Sequence, residues 1–341
     1  MSKPSPIIDD PCWFPDAHDA KAHALRFTRV SRKILSDEAF LDDRWARAGA
    51  EMVSRPMADF TALTIPKRAP HFIWHTAFCG STLLARCLDK PGTNLSLREP
   101  AALMSLANLK RLQGSEAAQR ELAPVLALMS RPFVRREHVT IKPTNTVNNL
   151  IRETVALAPG ARHLLLYSDI RAFLISIAKK GEAGRAFARQ LFTIFAMDGH
   201  PIARTEPREL MKLSDLQIAA LVWHMQVASF LDAAQSSPAG SFASLDGDAF
   251  LQSPQAGILA VDAFLGLGLG AEHAAATASG PLLRQDSKNP DQAHGADRRA
   301  EEARQTADML GPELEAIIEW SYGLFPGSPR AGQMPYPLAV G

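Results

Sequence analysis

His71-Phe72-Ile73-Trp74-His75-Thr76 is a short apolar, partly aromatic run that passes through Ala77-Phe78-Cys79-Gly80-Ser81-Thr82 into Leu83-Leu84-Ala85-Arg86-Cys87-Leu88. The first run has the length and composition of a buried strand, and the last places good helix formers at an apolar spacing. A strand that turns on Gly, Ser and Thr into a helix directs several backbone N–H groups at one spot. The helix dipole adds positive potential there, so the spot suits a phosphate or a sulfate. The same turn fits an ordinary strand–helix connection closed by a Ser or Thr cap, and by itself it does not separate the two readings.

The rest of the chain narrows the fold. Asn94–Leu97, Val139–Lys142, Arg162–Tyr167 and Ser241–Leu245 predict four further strands, and helical patterns follow each of them. Strands alternating with helices imply parallel βαβ units in an open sheet covered on both faces. The expected architecture is therefore a three-layer, P-loop-like α/β fold with a parallel sheet of about five strands, a helical N-terminal addition over residues 1–66, a main unit over 67–330 and a helical C-terminal cap. The helix of the N-terminal addition is drawn from the charged stretch Ala17 to Met52, with Leu25, Phe27, Val30, Ile34, Leu35, Phe40, Leu41 and Trp45 for its apolar face. Residues 268–296, rich in Gly, Ala and polar side chains, read as a loop. Ligands of such sheets gather outside the carboxyl ends of the strands, which brings the Cys79 turn, Glu99, Lys142 and Asp169 to one edge.

A net charge of +1 over 341 residues gives no electrostatic footprint for a nucleic-acid partner, so any basic site must be local. No apolar run approaches the roughly 20 residues that span a bilayer. The Pro- and Asp-rich start lacks the basic and apolar segments of a signal peptide, and Cys12, Cys79 and Cys87 are too scattered for a disulfide framework or a zinc site. A cytoplasmic protein is expected.

Several phosphate chemistries fit the loop poorly. No Lys precedes Ser81-Thr82, as an ATP or GTP loop would require. Cys79 would need an Arg six residues on to act as a phosphatase nucleophile, and Arg86 stands one position too far. The G-x-G-x-x-G dinucleotide fingerprint is absent.

Thr76-Ala77-Phe78-Cys79-Gly80-Ser81-Thr82-Leu83-Leu84 resembles the T-P-R-S-G-S/T-T-L-L loop of the PAPS-dependent sulfotransferases, especially their bacterial and tyrosyl-protein branches. The resemblance continues at Leu97-Arg98-Glu99-Pro100, at Ile141-Lys142-Pro143 and at Ser168-Asp169-Ile170-Arg171-Ala172-Phe173-Leu174-Ile175-Ser176, which is similar to the family's R-D-P-R-A-x-x-x-S element for the 3′-phosphate. Ser244–Leu251 and Phe264-Leu265-Gly266-Leu267 resemble its Y-E-D-L and F-L-G-L signatures, so that the matches run in order from about residue 70 to 270. Two cations of the family pattern are missing: the loop's basic residue falls on Phe78, and the Arg that opens the 3′-phosphate element falls on Ser168.

The resemblance implies PAPS (3′-phosphoadenosine 5′-phosphosulfate) as donor, PAP as product, no required metal, and a hydroxyl or amine as acceptor. It implies that the loop at Phe78, Cys79, Gly80, Ser81 and Thr82 holds the 5′-phosphosulfate, with Glu99 as general base and Lys142 offsetting charge on the transferred group. Ser168, Ser176 and Arg171 would face the 3′-phosphate, Arg171 as the substitute cation, and Arg284 and Lys288 would fold back over the nucleotide. The acceptor pocket would come from 101–130 and 182–235. Other readings stay open. Glu99 precedes Pro100, a residue suited to the first helical position, and so also fits a helix-start carboxylate. Lys142 fits a strand-end Lys, Asp169 an N-cap with Arg171 paired at the surface, and His75 a second-choice base. Trp223, Phe230 and His224 fit the core. A nucleotide-binding module without turnover and an atypical phosphotransferase are the competing functions.

Overall fold

The computed structural model describes residues 6–283 and 296–340; Arg284 and Lys288 lie outside the described residues. Three antiparallel strands occupy the segment where a helix is expected: β1 (Trp13–Asp19), β2 (Ala24–Arg29) and β3 (Met52–Pro56). The helical reading was wrong because the charges there are cross-strand partners rather than a solvated helix face. Buried Asp16 accepts from Arg26 Nε at 3.0 Å, Thr28 Oγ1 at 2.9 Å and Arg47 Nε at 2.5 Å, so charged residues at irregular spacing close an ion cluster on the sheet. Leu25 and Phe27 are fully buried two residues apart, which is strand periodicity. Within 17–52 only Arg32–Asp37 forms a helix.

The main sheet carries β4 (His71–His75), β5 (Asn94–Arg98), β6 (His138–Lys142), β7 (His163–Tyr167) and β8 (Phe242–Asp246), all parallel, in the order β5-β6-β4-β7-β8. These five strands stand where the apolar runs place them. Their two faces feed two cores: Phe72, Trp74, Leu97, Ile141 and Leu165 point to one side, Ile73, Leu164, Leu166 and Leu245 to the other. The smaller core is closed by the Ser81–Cys87 and Pro254–Leu265 helices, and the larger by the helices Ala101–Gln113, Ser115–Met129, Ile170–Lys179 and Asp215–Gln235. The larger core also takes in Phe14, Leu25, Phe27 and Trp45, so the N-terminal sheet packs continuously with it.

Two arginines, the buried Arg98 and the partly buried Arg131, strap the N-terminal segment down. Arg98 donates to the carbonyls of Leu35 and Ser36, each at 2.8 Å, and to Glu38; Arg131 donates to the carbonyls of Ile8 and Asp10. The C-terminal cap is the Ala296–Leu324 helix, kinked at Gly311, against the Ile170–Lys179 helix. Part of the stretch expected as loop is helical, Gly270–Ser279. The Asp262 carboxylate accepts from the N–H groups of Gly268, Leu269 and Gly270 at 2.8–3.0 Å, which organises the turn that starts this Ala-rich helix. Among the described residues no helix is long and apolar enough to cross a membrane.

Candidate active site

The β4 loop is built with its carbonyls turned inward. His75 O accepts from Asn148 Nδ2 at 3.2 Å, Thr76 O from Gln226 Nε2 at 3.2 Å, and Phe78 O from the Ser168 hydroxyl at 3.3 Å. Asn145 Nδ2 donates to Gln226 Oε1 at 2.8 Å, so the amide side chains form one buried network beneath the loop. Gly247, at the tip of β8, lies so close that a Cβ there would stand 2.3 Å from the Cys79 carbonyl oxygen. Only glycine permits this approach, and any side chain would push the loop out of place. Ala77, Phe78 and Gly80 adopt φ of 69°, 55° and 78°, left-handed conformations of the kind found in anion-binding main-chain turns. Gly80 is the N-cap of the Ser81–Cys87 helix and has no side chain with which to cap it, while the Ser81 N–H faces the Cys79 sulfur.

Glu99 follows β5 with φ 53°. Of the five non-glycine residues at positive φ among those described, Ala77, Phe78 and Glu99 share this one edge of the sheet, and backbone strain of that kind concentrates at functional sites. The Glu99 N–H donates to Lys142 O at 2.7 Å, and its carboxylate accepts from Lys142 Nζ through Oε1. Arg44 Nη2 donates to Oε2 at 2.7 Å. The Lys142 side chain is 1% exposed and that of Glu99 11%. Burial works against the charged carboxylate, but the Lys142 ammonium and the Arg44 guanidinium outweigh it and hold Glu99 below the usual range. Burial also pushes the Lys142 ammonium down, with Glu99 opposing. Pro143, directly after Lys142, accepts from His75 Nε2 at 3.0 Å, which joins the β6 tip to the β4 loop.

The structure brings Glu99, Lys142 and the 76–82 loop together at the edge expected for them. Ser81 and Thr82 are almost wholly buried at the start of their helix. Phe78 packs edge-on against Phe187 and near Phe173, so its ring joins the helical wall. Ser168 is buried, and its hydroxyl ties down the loop carbonyl. Arg171 is half exposed and paired with Glu315 of the C-terminal helix, so it is engaged at the surface. Asp169 is the N-cap, accepting from Arg171 N at 2.8 Å, and burial with nearby Asp246 pushes its carboxyl up. Ser176 stands half-buried on the same Ile170–Lys179 helix.

His75 is no free base. Its Nδ1 accepts from Ala77 N at 3.1 Å while Nε2 faces Pro143 O, so both ring nitrogens hold the loop. His224 is fully buried between Ser328 and Ser321 hydroxyls at 2.7 and 3.0 Å, and burial lowers its pKa to about 3. Trp223 and Phe230 are core residues, and Trp223 Nε1 donates to Ser168 O at 2.8 Å. Cys79 donates its thiol proton to Leu166 O at 3.2 Å, and burial pushes the thiol up despite the nearby Lys142 charge, which disfavours a nucleophilic thiolate. Burial pushes Cys87 up to about 12. No group of three or more His, Cys, Asp or Glu able to hold a metal occurs among the described residues.

Two cations escaped the sequence reading. Arg44 belongs to the segment read as a surface helix. Lys180 holds its ammonium 5.3 Å from the centre of the Phe78 ring, within cation–π range, and so returns a positive charge beside the position where the resembling family carries one. The Lys179-Lys180 pair closing a predicted helix was the available signal for it. On the helical side, two adjoining cavities of about 340 and 410 Å³ share Asp198, Ser229 and Asp232; the first is lined from 110–115, 148–152 and 197–232, and the second within 195–232 alone. Neither is lined by Glu99, Lys142 or the loop; Asn148, which lines the first and donates to His75 O, is their link to the β4 edge.

No protein-family model matches the chain, and no curated protein matches it. Among solved structures it is similar to the sulfotransferase domain of the Synechococcus PCC 7002 olefin synthase, at 14% identity and a TM-score of 0.45 over 78% of this chain and 97% of that one. It is similar to the sulfotransferase domain from the curacin biosynthetic pathway at 13% identity and a TM-score of 0.42, over 71% and 98% of the two chains. Sulfotransferase STF9 from Mycobacterium avium is 12% identical over 72% of this chain and 77% of its own, with a TM-score of 0.37.

Proposed function

We propose that this chain is a sulfotransferase that moves a sulfuryl group from PAPS to a hydroxyl or amine acceptor. The observation that carries this reading is the Glu99–Lys142 pair, held at neighbouring strand tips on the same sheet edge as the glycine-led start of the Ser81–Cys87 helix. Sulfuryl transfer needs an anion cradle, a cation at the reacting group and a base for the acceptor, with positioning and electrostatics supplying most of the rate. The amides from Cys79 to Thr82 would hold the 5′-phosphosulfate, and Lys180 would add charge beside Phe78. As the acceptor oxygen or nitrogen bonds to sulfur, the bond from sulfur to the PAP phosphate oxygen breaks, and Glu99 takes the acceptor proton. Lys142 offsets the charge that collects around the transferred group. In this reading residues 67–330 form the catalytic unit, and 1–66 are an extension that reaches into its site through Arg44.

A second reading, donor binding without turnover, has one observation in its favour: both oxygens of Glu99 are already bonded to cations. Thermal shift separates the classes of ligand. PAP without magnesium is expected to raise the melting temperature, with ATP or GTP plus magnesium doing less. Stabilisation by ATP with magnesium and none by PAP would overturn both readings in favour of a phosphotransferase. Transfer of labelled sulfate from PAPS then distinguishes an enzyme from a binding module.

A further inference from the structure

We propose that Arg44, supplied by the N-terminal segment, is a positioning residue that sets the charge state of Glu99. The inference rests on the sulfotransferase reading for its catalytic meaning, and on geometry alone for its effect on Glu99. The Arg44 side chain is 55% exposed, and an arginine in that setting ordinarily samples many rotamers. Here three fixtures hold it. Its guanidinium lies 3.5 Å from the centre of the Phe40 ring. The Asp42 carboxylate accepts from both the Arg44 backbone N–H and Nε at 2.9 Å. Nη2 then completes the arrangement on Glu99 Oε2. Phe40 and Asp42 therefore aim the guanidinium independently of Glu99.

The backbone is set with the same care. Leu41 N donates to Arg98 O at 2.8 Å and Leu41 O accepts from Ala101 N at 3.0 Å, so the segment is zipped to the chain on either side of Glu99. Together with the Glu99 N–H on Lys142 O, these bonds hold Glu99 in its left-handed conformation. An arginine three residues beyond that zipper at Leu41 has a fixed reach to the carboxylate.

The charge balance follows. Lys142 on β6 and Arg44 face the Glu99 carboxylate directly, Asp42 shares the Arg44 guanidinium, and the Cys79 thiol lies on the far side near Lys142. Arg98, the neighbour of Glu99 in the chain, is turned to the carbonyls of 35, 36, 38 and 96 and stands apart from this group. Lys142 is buried and fixed on Oε1, whereas the half-exposed Arg44 holds Oε2, so Oε2 is the oxygen suited to an acceptor proton. Arg44 keeps that oxygen charged and oriented until an acceptor arrives.

The test is the titration of Glu99 itself, followed by NMR of carboxyl-¹³C-labelled glutamate, with Glu99→Gln to assign the resonance. Removing one cation from a carboxylate raises its pKa, so Arg44→Ala is expected to move the Glu99 midpoint up by about one pH unit. Arg44→Lys, which keeps the charge but loses the fork, is expected to recover part of the shift. In the transfer assay the acid limb of kcat/KM is expected to move to higher pH in Arg44→Ala by the same amount. A Glu99 midpoint unchanged in Arg44→Ala, with the melting temperature showing a folded variant, would overturn the proposal. A wild-type chain that transfers no sulfate would count against the sulfotransferase reading alone, since the titration still decides what Arg44 does.

Discussion

Glu99→Gln is expected to lower kcat for sulfuryl transfer by about 10²–10⁴-fold while leaving PAP affinity within a few-fold of wild type. The separation of the two effects follows from position. The loop amides that would hold the nucleotide start the Ser81 helix, whereas Glu99 stands two strands away, across β6. Glutamine is the informative replacement because Lys142 is 1% exposed and needs an acceptor. A glutamine carbonyl oxygen still supplies one, so the variant loses the basic lone pair without leaving an unpaired ammonium in the interior. Rates from a labelled PAPS assay and PAP affinities from calorimetry give the two numbers. Unchanged kcat in a folded Glu99→Gln protein would remove Glu99 as the base.

Lys142→Met is expected to destabilise the fold by about 3 kcal/mol at neutral pH, among the larger effects available from one substitution. Methionine matches the unbranched stem but leaves the mostly buried Glu99 carboxylate with Arg44 as its remaining cation. The double variant Lys142→Met/Glu99→Gln is then expected to be more stable than Lys142→Met alone, because its buried group is neutral. The pH dependence has a definite sign. Glu99 is held below the usual carboxylate range, so its contribution is fully present above its unfolded pKa of about 4.3 and is lost as pH falls through its folded value. The gap between wild type and Lys142→Met should therefore be widest near pH 7 and narrow below about pH 4. Denaturant titrations at the two pH values measure it, and a gap that widens on acidification would contradict the ion pair's role.

The central sheet was legible because each strand is a short run of residues buried on both faces, a signal that needs no partner to be recognised. The placement of Glu99 and Lys142 at one sheet edge was legible for a related reason, since both stand at the ends of such runs. The N-terminal sheet was not. A register shift between Pro15 and Ala17 breaks its alternation, and Arg26 and Arg47 fit the charged side of a helix until they are seen to meet Asp16. Arg44 was invisible on the same account, because its partner is 55 residues away. Ser168 and Arg171 illustrate the limit of a motif. Their order along the chain matched, yet Ser168 spends its hydroxyl on Phe78 O and Arg171 pairs with Glu315, contacts that no local spacing encodes. The closeness of Gly247 to Cys79 likewise exists only once β8 is seated beside β7.

A crystal structure of the chain with PAP tests the central claim most directly. We expect the 5′-phosphate oxygens within hydrogen-bonding distance of the Gly80–Thr82 amides, with Lys142 and Glu99 on the side where a sulfuryl group would extend. PAP bound away from the Ser81 helix, or bound there with its 5′-phosphate directed away from Glu99 and Lys142, would contradict it.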